Sequence, residues 1–270
     1  MITVSTPEGF TTLEPTIFPD GTSQIWKIAP LSILYSKNIL ITWHFESERE
    51  ILDLYSFKAL LHQQGQEITL HIPYLPYARQ DKHVSNNYTF NLVVFAQLIN
   101  GLEFNKITSV DVHNPLRTMN LIRNFENIEP TDIHKKVLED FDPSFVVFPD
   151  KGAMDRYNSG LSGITTNFIY FEKTRDQSTG AIIGLEFKTD KGSLLHDEKY
   201  KFLIVDDICD GGATFIAVAK KLKEINKYAE VALFVTHGIF SKGRQHLLDN
   251  GIDKIYTTNS MINNKDGFPV

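Results

Sequence analysis

The chain has 270 residues, 42% of them hydrophobic and 22% charged, which suits one or two soluble domains and excludes a disordered polypeptide. A formal net charge of -6 gives no global attraction to nucleic acid or anionic membrane, so any anionic ligand must be held by local cations. The single cysteine, Cys209, excludes an intrachain disulfide framework and a multi-cysteine zinc site. Met1-Ile2-Thr3-Val4 lacks a basic leader, and no run approaches the ~20 apolar residues of a spanning helix. The expected location is the cytoplasm, with neither nucleic acid nor membrane as partner.

In chain order, short apolar, β-rich runs alternate with longer segments of helix-like spacing. Strands are predicted at 39–42, 67–72 and 106–112, with helices at 50–63 and 90–100. Further strands are predicted at 145–148, 167–171 and 202–205, then a helix at 214–226, a strand at 231–235, a helix at 242–248 and a strand at 254–256. Such alternation implies an α/β fold with mainly parallel sheets flanked by helices, whose ligands gather at the carboxyl ends of the strands. Cys209 lies in an apolar-acidic run with nothing arranged to activate it, so it is expected to be a packing residue.

The most informative stretch runs from Lys201 to Thr214. A buried strand empties into Asp206 and Asp207, then into Asp210-Gly211-Gly212-Ala213-Thr214 and a helix. A turn at a helix N-terminus aims backbone N–H groups at an anion, and glycines let that backbone come close. Adjacent carboxylates suit the paired hydroxyls of a sugar, so the stretch reads as a seat for a phosphorylated ribose. Elsewhere, Arg79 can fork two N–H bonds onto a phosphate, and Gln80 can read a base edge.

The ribose stretch resembles the phosphoribosyl diphosphate (PRPP) loop shared by phosphoribosyltransferases and PRPP synthetases. Pro73-Tyr74-Leu75-Pro76-Tyr77-Ala78-Arg79-Gln80-Asp81 is similar to the Pro-Tyr-Ala-Arg-Gln-Asp signature of ribose-phosphate diphosphokinases, which ordinary phosphoribosyltransferases lack. On both motifs the chain is identified as a member of that diphosphokinase family, over roughly residues 18 to 259. The resemblance implies two similar domains of the type I phosphoribosyltransferase-like fold, 1–140 with the ATP-binding elements and 141–270 with the ribose-phosphate and catalytic loops.

It also implies roles. Arg79, Gln80 and His113 would contact ATP, as would Phe18 and Asp20, in an element that in family oligomers reaches a neighbouring subunit's active site. His113 of Asp111-Val112-His113 and Asp150 of Pro149-Asp150-Lys151-Gly152 would hold Mg²⁺, for which hard oxygen donors are suited. Lys173 and Arg175, in a polar stretch expected to form a mobile loop after a strand ending at Phe171, would stabilise charge on the transferred phosphates. Asp206 and Asp207 would orient the ribose, and Asp210, Gly211, Gly212, Ala213 and Thr214 would hold its 5-phosphate. The runs Thr236 to Ser241 and Thr258-Asn259 also match the family.

The implied reaction moves the β,γ-diphosphate of Mg-ATP to the anomeric hydroxyl of ribose 5-phosphate in a homo-oligomer with a shared active site. The family loop usually reads Asp-Thr-x-Gly-Thr, so this chain loses a hydroxyl at Gly211 and gains a methyl at Ala213. Three alternatives stay open at this point: transfer to a 5-extended ribose such as ADP-ribose, a PRPP-consuming phosphoribosyltransferase, and a non-catalytic relative that regulates an active synthetase.

Overall fold

The computed structural model describes residues 1–61, 65–82, 88–161, 167–175, 182–189 and 198–261, and these divide into two compact units, residues 1–129 with 260–261 and residues 130–259. In the first, β1 (Ile2–Thr6) and β2 (Gly9–Leu13) form a hairpin, and β3 (Thr16–Ile17) and β4 (Ser23–Gln24) a small ribbon. A 3-10 turn at Leu31–Tyr35 leads to β5 (Asn38–Trp43), α1 (Glu50–Leu60), β6 (Glu67–Ile72) and α2 (Asn91–Asn100). There follow β7 (Lys106–Val110), α3 (Pro115–Leu121) and β8 (Phe125–Ile128). The sheet order is β2-β1-β5-β6-β7-β8, antiparallel from β2 to β5 and parallel from β5 to β8.

The second unit holds α4 (Thr131–Phe141), β9 (Phe145–Phe148), α5 (Lys151–Leu161), β10 (Phe168–Arg175) and β11 (Ile182–Thr189). It continues through β12 (Lys201–Cys209), α6 (Ala213–Ile225), β13 (Glu230–Gly238), α7 (Arg244–Leu248) and β14 (Lys254–Thr257). Its order is β11-β10-β9-β12-β13-β14, parallel except at the β10–β11 edge. Both units are therefore parallel sheets with an antiparallel margin and flanking helices, the α/β class expected.

Burial separates the two sheets. In β5 and β6 every second residue is buried, so Ile41, Trp43, Leu70 and Ile72 meet Leu54 and Phe57 of α1 and Phe95 and Ile99 of α2. In β12 and β13 nearly every residue is buried, because helices cover both faces. Phe202, Ile204 and Leu233 pack with Val218 and Leu222 of α6, while Leu203, Val205 and Phe234 pack with Val137 and Phe141 of α4 and Tyr157 of α5.

The expected boundary lies near residue 140, inside the end of α4. Helix α4 has Val137, Leu138 and Phe141 in the second unit's core, so the division falls ahead of α4. Among the described residues, no helix is long and apolar enough to cross a membrane.

Candidate functional site

Strand β12 runs to Cys209, four residues beyond the predicted end, so Asp206 and Asp207 lie within it rather than after it. Asp207 is 3% exposed, and its Oδ2 stands 2.9 Å from Arg156 Nη1 on α5. Arg156 also sits over the Tyr157 ring, 5.6 Å from its centroid. An opposite charge at this distance is what allows a carboxylate so deep in a strand. The Asp207 backbone N–H donates to Asp206 Oδ1 at 2.9 Å. Burial pushes the Asp206 carboxyl well above the usual carboxylate range, and the charge of Asp207, with a smaller push from Asp150, adds to it. The charges of Asp207 and Asp150 thus both act on Asp206.

Asp150 follows β9, and its Oδ1 accepts the Ala153 N–H at 3.0 Å in the first turn of α5. Beyond β12 the chain turns through Asp210 and Gly211 to Gly212, the residue before α6, at φ 76°. A side chain there is opposed twice, by this left-handed backbone and by Leu247, whose Cδ2 would lie 2.3 Å from an added Cβ. Gly212 brings no side chain to cap the helix, so the first-turn N–H groups of Ala213 and Thr214 face outward past a close backbone, the arrangement that suits an anion. Ala213 is exposed and Thr214 half-buried as the opening residues of α6.

Lys173 and Arg175 lie on β10, which continues to Arg175 instead of stopping at Phe171. Lys173 pairs in register with Leu185 and Arg175 with Ile182 of β11, with a shift between Thr174 and Arg175. Antiparallel pairing with β11, a strand the sequence reading did not include, is what extends β10. The expected mobile loop at 176–180 lies outside the described residues.

In the first unit, two loops that follow neighbouring strands are tied together. Asp81 is 4% exposed, and its Oδ2 accepts a hydrogen bond from Asn114 Nδ2 at 2.7 Å, while Asn114 Oδ1 caps α3 through the Arg117 N–H at 3.1 Å. Arg79 and Gln80 are exposed on one loop, and half-buried His113 is on the other. Strand β7 stops at Val110, two residues short of the predicted end: the Asp111 N–H makes the last ladder bond, to the Ile128 carbonyl at 3.0 Å, and its φ of 45° then turns the chain away. Tyr77, at φ 64°, donates its hydroxyl to Glu48, and that bond holds the phenol up at about 12. Phe18 and Asp20 occupy the β3–β4 turn. Phe18 meets Trp26 edge to face at 6.2 Å, and Asp20 Oδ1 accepts from the Thr22 N–H and hydroxyl at 3.0 and 2.7 Å. Those bonds hold the exposed Asp20 carboxyl below its usual range.

Of the residues expected to form the site, the structure groups Asp150, Asp206, Asp207 and the cradle 210–214 in the second unit, and Arg79, Gln80 and His113 in the first. The two Mg²⁺ candidates, His113 and Asp150, belong to different units. Among the described residues, no group of three or more His, Cys, Asp or Glu side chains is arranged to hold a metal. Asp150 nonetheless fits a Mg²⁺ that arrives on phosphates, since that ion needs only one or two protein carboxylates and is favoured where carboxylates repel one another. Cys209 is buried, which pushes its thiol up to about 12, so it is a packing residue.

Sequence reading missed Arg156 and Asn114. The signal for Arg156 was present: Ala153, Tyr157 and Leu161 recur at helical spacing, and an arginine beside that buried stripe needs a carboxylate.

A scan against models of known protein families finds no match for the chain. The chain is 24% identical over 258 residues to a ribose-phosphate pyrophosphokinase of Saccharolobus solfataricus, covering 94% of this chain and 86% of that one. It is 30% identical over 261 residues to a ribose-phosphate pyrophosphokinase of Mycoplasmopsis pulmonis, covering 92% of this chain and 76% of that one. The crystal structure of phosphoribosylpyrophosphate synthetase from Mycobacterium smegmatis shares the fold, with a TM-score of 0.70 at 19% identity, over 95% of this chain and 83% of that one. By its likeness to these relatives along most of its length, the chain belongs to the ribose-phosphate pyrophosphokinase family of enzymes.

Proposed function

We propose that the protein makes PRPP and AMP from Mg-ATP and ribose 5-phosphate. The observation that carries this reading is the course of β12, whose Asp206 and Asp207 lead directly into a Gly212 turn that opens the N-terminus of α6. The acceptor's phosphate is held at 210–214 and its ribose hydroxyls by the Asp206–Asp207 pair. Arg79, Gln80 and His113 bind ATP from loops braced by the Asp81–Asn114 bond.

The anomeric oxygen attacks the β-phosphorus of ATP, the bond from that phosphorus to the α,β-bridging oxygen breaks, AMP leaves, and the hydroxyl proton passes to solvent. Lys173 and Arg175 supply positive charge to the phosphoryl group in flight, where fixed cations are worth most. Asp150 would hold a Mg²⁺ on the phosphates, and His113 is the other candidate ligand for Mg-ATP; the metal would draw charge from the diphosphate. The Phe18–Asp20 turn, exposed at Pro19 and Asp20, is suited to reaching the site of a neighbouring copy, and the enzyme is read as a cytoplasmic homo-oligomer.

The test is AMP release from Mg-ATP by purified protein with ribose 5-phosphate or ADP-ribose in separate reactions. Turnover that favours ribose 5-phosphate supports the reading. Preference for ADP-ribose keeps the transfer and changes the acceptor, and base-dependent PRPP consumption without ATP overturns it.

A further inference from the structure

The turn between β13 and α7 lies directly on the phosphate cradle. The backbone N–H groups of Ile239 and Phe240 both donate to the Cys209 carbonyl, at 2.9 and 3.1 Å, and Gly243 closes the turn on the Phe240 carbonyl at 2.7 Å. Phe240 at φ 48° and Gly243 at φ 78° bend the chain back there, and the Phe240 ring lies so close over Gly238 that an added Cβ would meet its Cε2 at 2.1 Å. The turn is thus fixed to the end of β12 by hydrogen bonds and by packing. Between its two ends sit Ser241 and Lys242.

Lys242 extends along Gly211. A Cβ built on Gly211 would meet Lys242 Cε at 3.6 Å, Lys242 Cδ at 3.7 Å and Ser241 Oγ at 3.8 Å, all ordinary contacts. The lysine stem therefore occupies space beside the one cradle residue that has lost a side-chain hydroxyl relative to the family loop. Arg156 is paired with Asp207 on the α5 side, which leaves Lys242 as a cation placed against Gly211 itself. A cation beside the start of α6 adds to the pull of its backbone N–H groups on a phosphate.

We propose that Lys242 binds the acceptor's phosphate and sets the preference for a phosphorylated over an unphosphorylated ribose. This rests on the reading that 210–214 holds that phosphate. An ammonium on a flexible stem is a compact point charge that suits a phosphate dianion, and its exposed base lets it fold over the ligand after entry.

Equilibrium binding of ribose 5-phosphate and of ATP to the full chain, measured for the natural protein, Lys242→Met, Lys242→Arg and Thr214→Val, tests it. Lys242→Met keeps the stem and removes the charge, and it is expected to weaken ribose 5-phosphate binding about 10- to 100-fold. ATP affinity stays the same, Lys242→Arg recovers much of the loss, and the methionine variant loses most of the salt dependence of acceptor binding. If Thr214→Val weakens binding and Lys242→Met does not, the lysine has no such role and the cradle reading stands. If neither variant changes binding, or the natural protein binds no ribose 5-phosphate, the cradle reading fails and the Lys242 proposal fails with it.

Discussion

Arg156 Nη1 stands 2.9 Å from Asp207 Oδ2, an ion pair with side chains only 17% and 4% exposed, and it joins α5 to the strand that leads into the Gly211–Gly212 turn. Removing one partner of a buried pair strands the other in a poor solvent. Arg156→Met is expected to cost about 3 kcal/mol of unfolding free energy. Urea denaturation measures this, and a change within about 0.5 kcal/mol would show that the pair is not structural.

His134 on α4 is enclosed edge to face by Tyr157 at 5.3 Å and Phe234 at 5.0 Å, and burial lowers its pKa to about 4. The folded chain therefore binds fewer protons here than the unfolded chain between about pH 6.5 and pH 4. Stability is fully present above that window and is lost as pH falls through it, by about 3 kcal/mol in all. His134→Gln should flatten this part of the profile. Equal urea midpoints for the natural protein at pH 7.5 and pH 5, chosen as about the two sides of the upper pKa, would contradict the assignment.

Gly212 is constrained by both conformation and space, with φ 76° and Leu247 Cδ2 at 2.3 Å from an added Cβ. Gly212→Ala should cost about 2–4 kcal/mol and weaken acceptor binding. Pairing it with Leu247→Ala relieves the clash and leaves the backbone strain. Full recovery in that double variant would mean that the left-handed conformation is not what the turn requires.

Lys173→Ala and Arg175→Ala should each lower turnover by about two to three orders of magnitude while leaving the unfolding midpoint unchanged, as expected of cations aimed at developing charge. Steady-state rates alongside thermal melts decide this. Parallel loss of melting temperature and activity would make the two residues structural members of β10.

Much of the second unit was legible because β9, β12 and β13 are apolar on both faces, and a continuous buried run is hard to mistake. The ends were not. Asp206 and Asp207 look like strand terminators until Arg156, 51 positions away in sequence, is seen to neutralise one of them, and Lys173 to Arg175 look like a polar loop until β11 pairs with them. The hairpin of β1 and β2 is rich in threonine and only partly buried, so its two-residue alternation is faint. Helix α4 was missed although Val137, Leu138 and Phe141 share one face, because charged residues fill the positions between them. The Asp81–Asn114 bond joins two motifs that the sequence shows only separately.

The most direct test of the proposed reaction follows label from ATP carrying ³²P at its β-phosphorus, incubated with the protein, Mg²⁺ and ribose 5-phosphate. The proposed transfer predicts label on a sugar diphosphate formed in equal amount with AMP, and no ADP. Label retained in ADP, or released as free diphosphate with no labelled sugar, would contradict it.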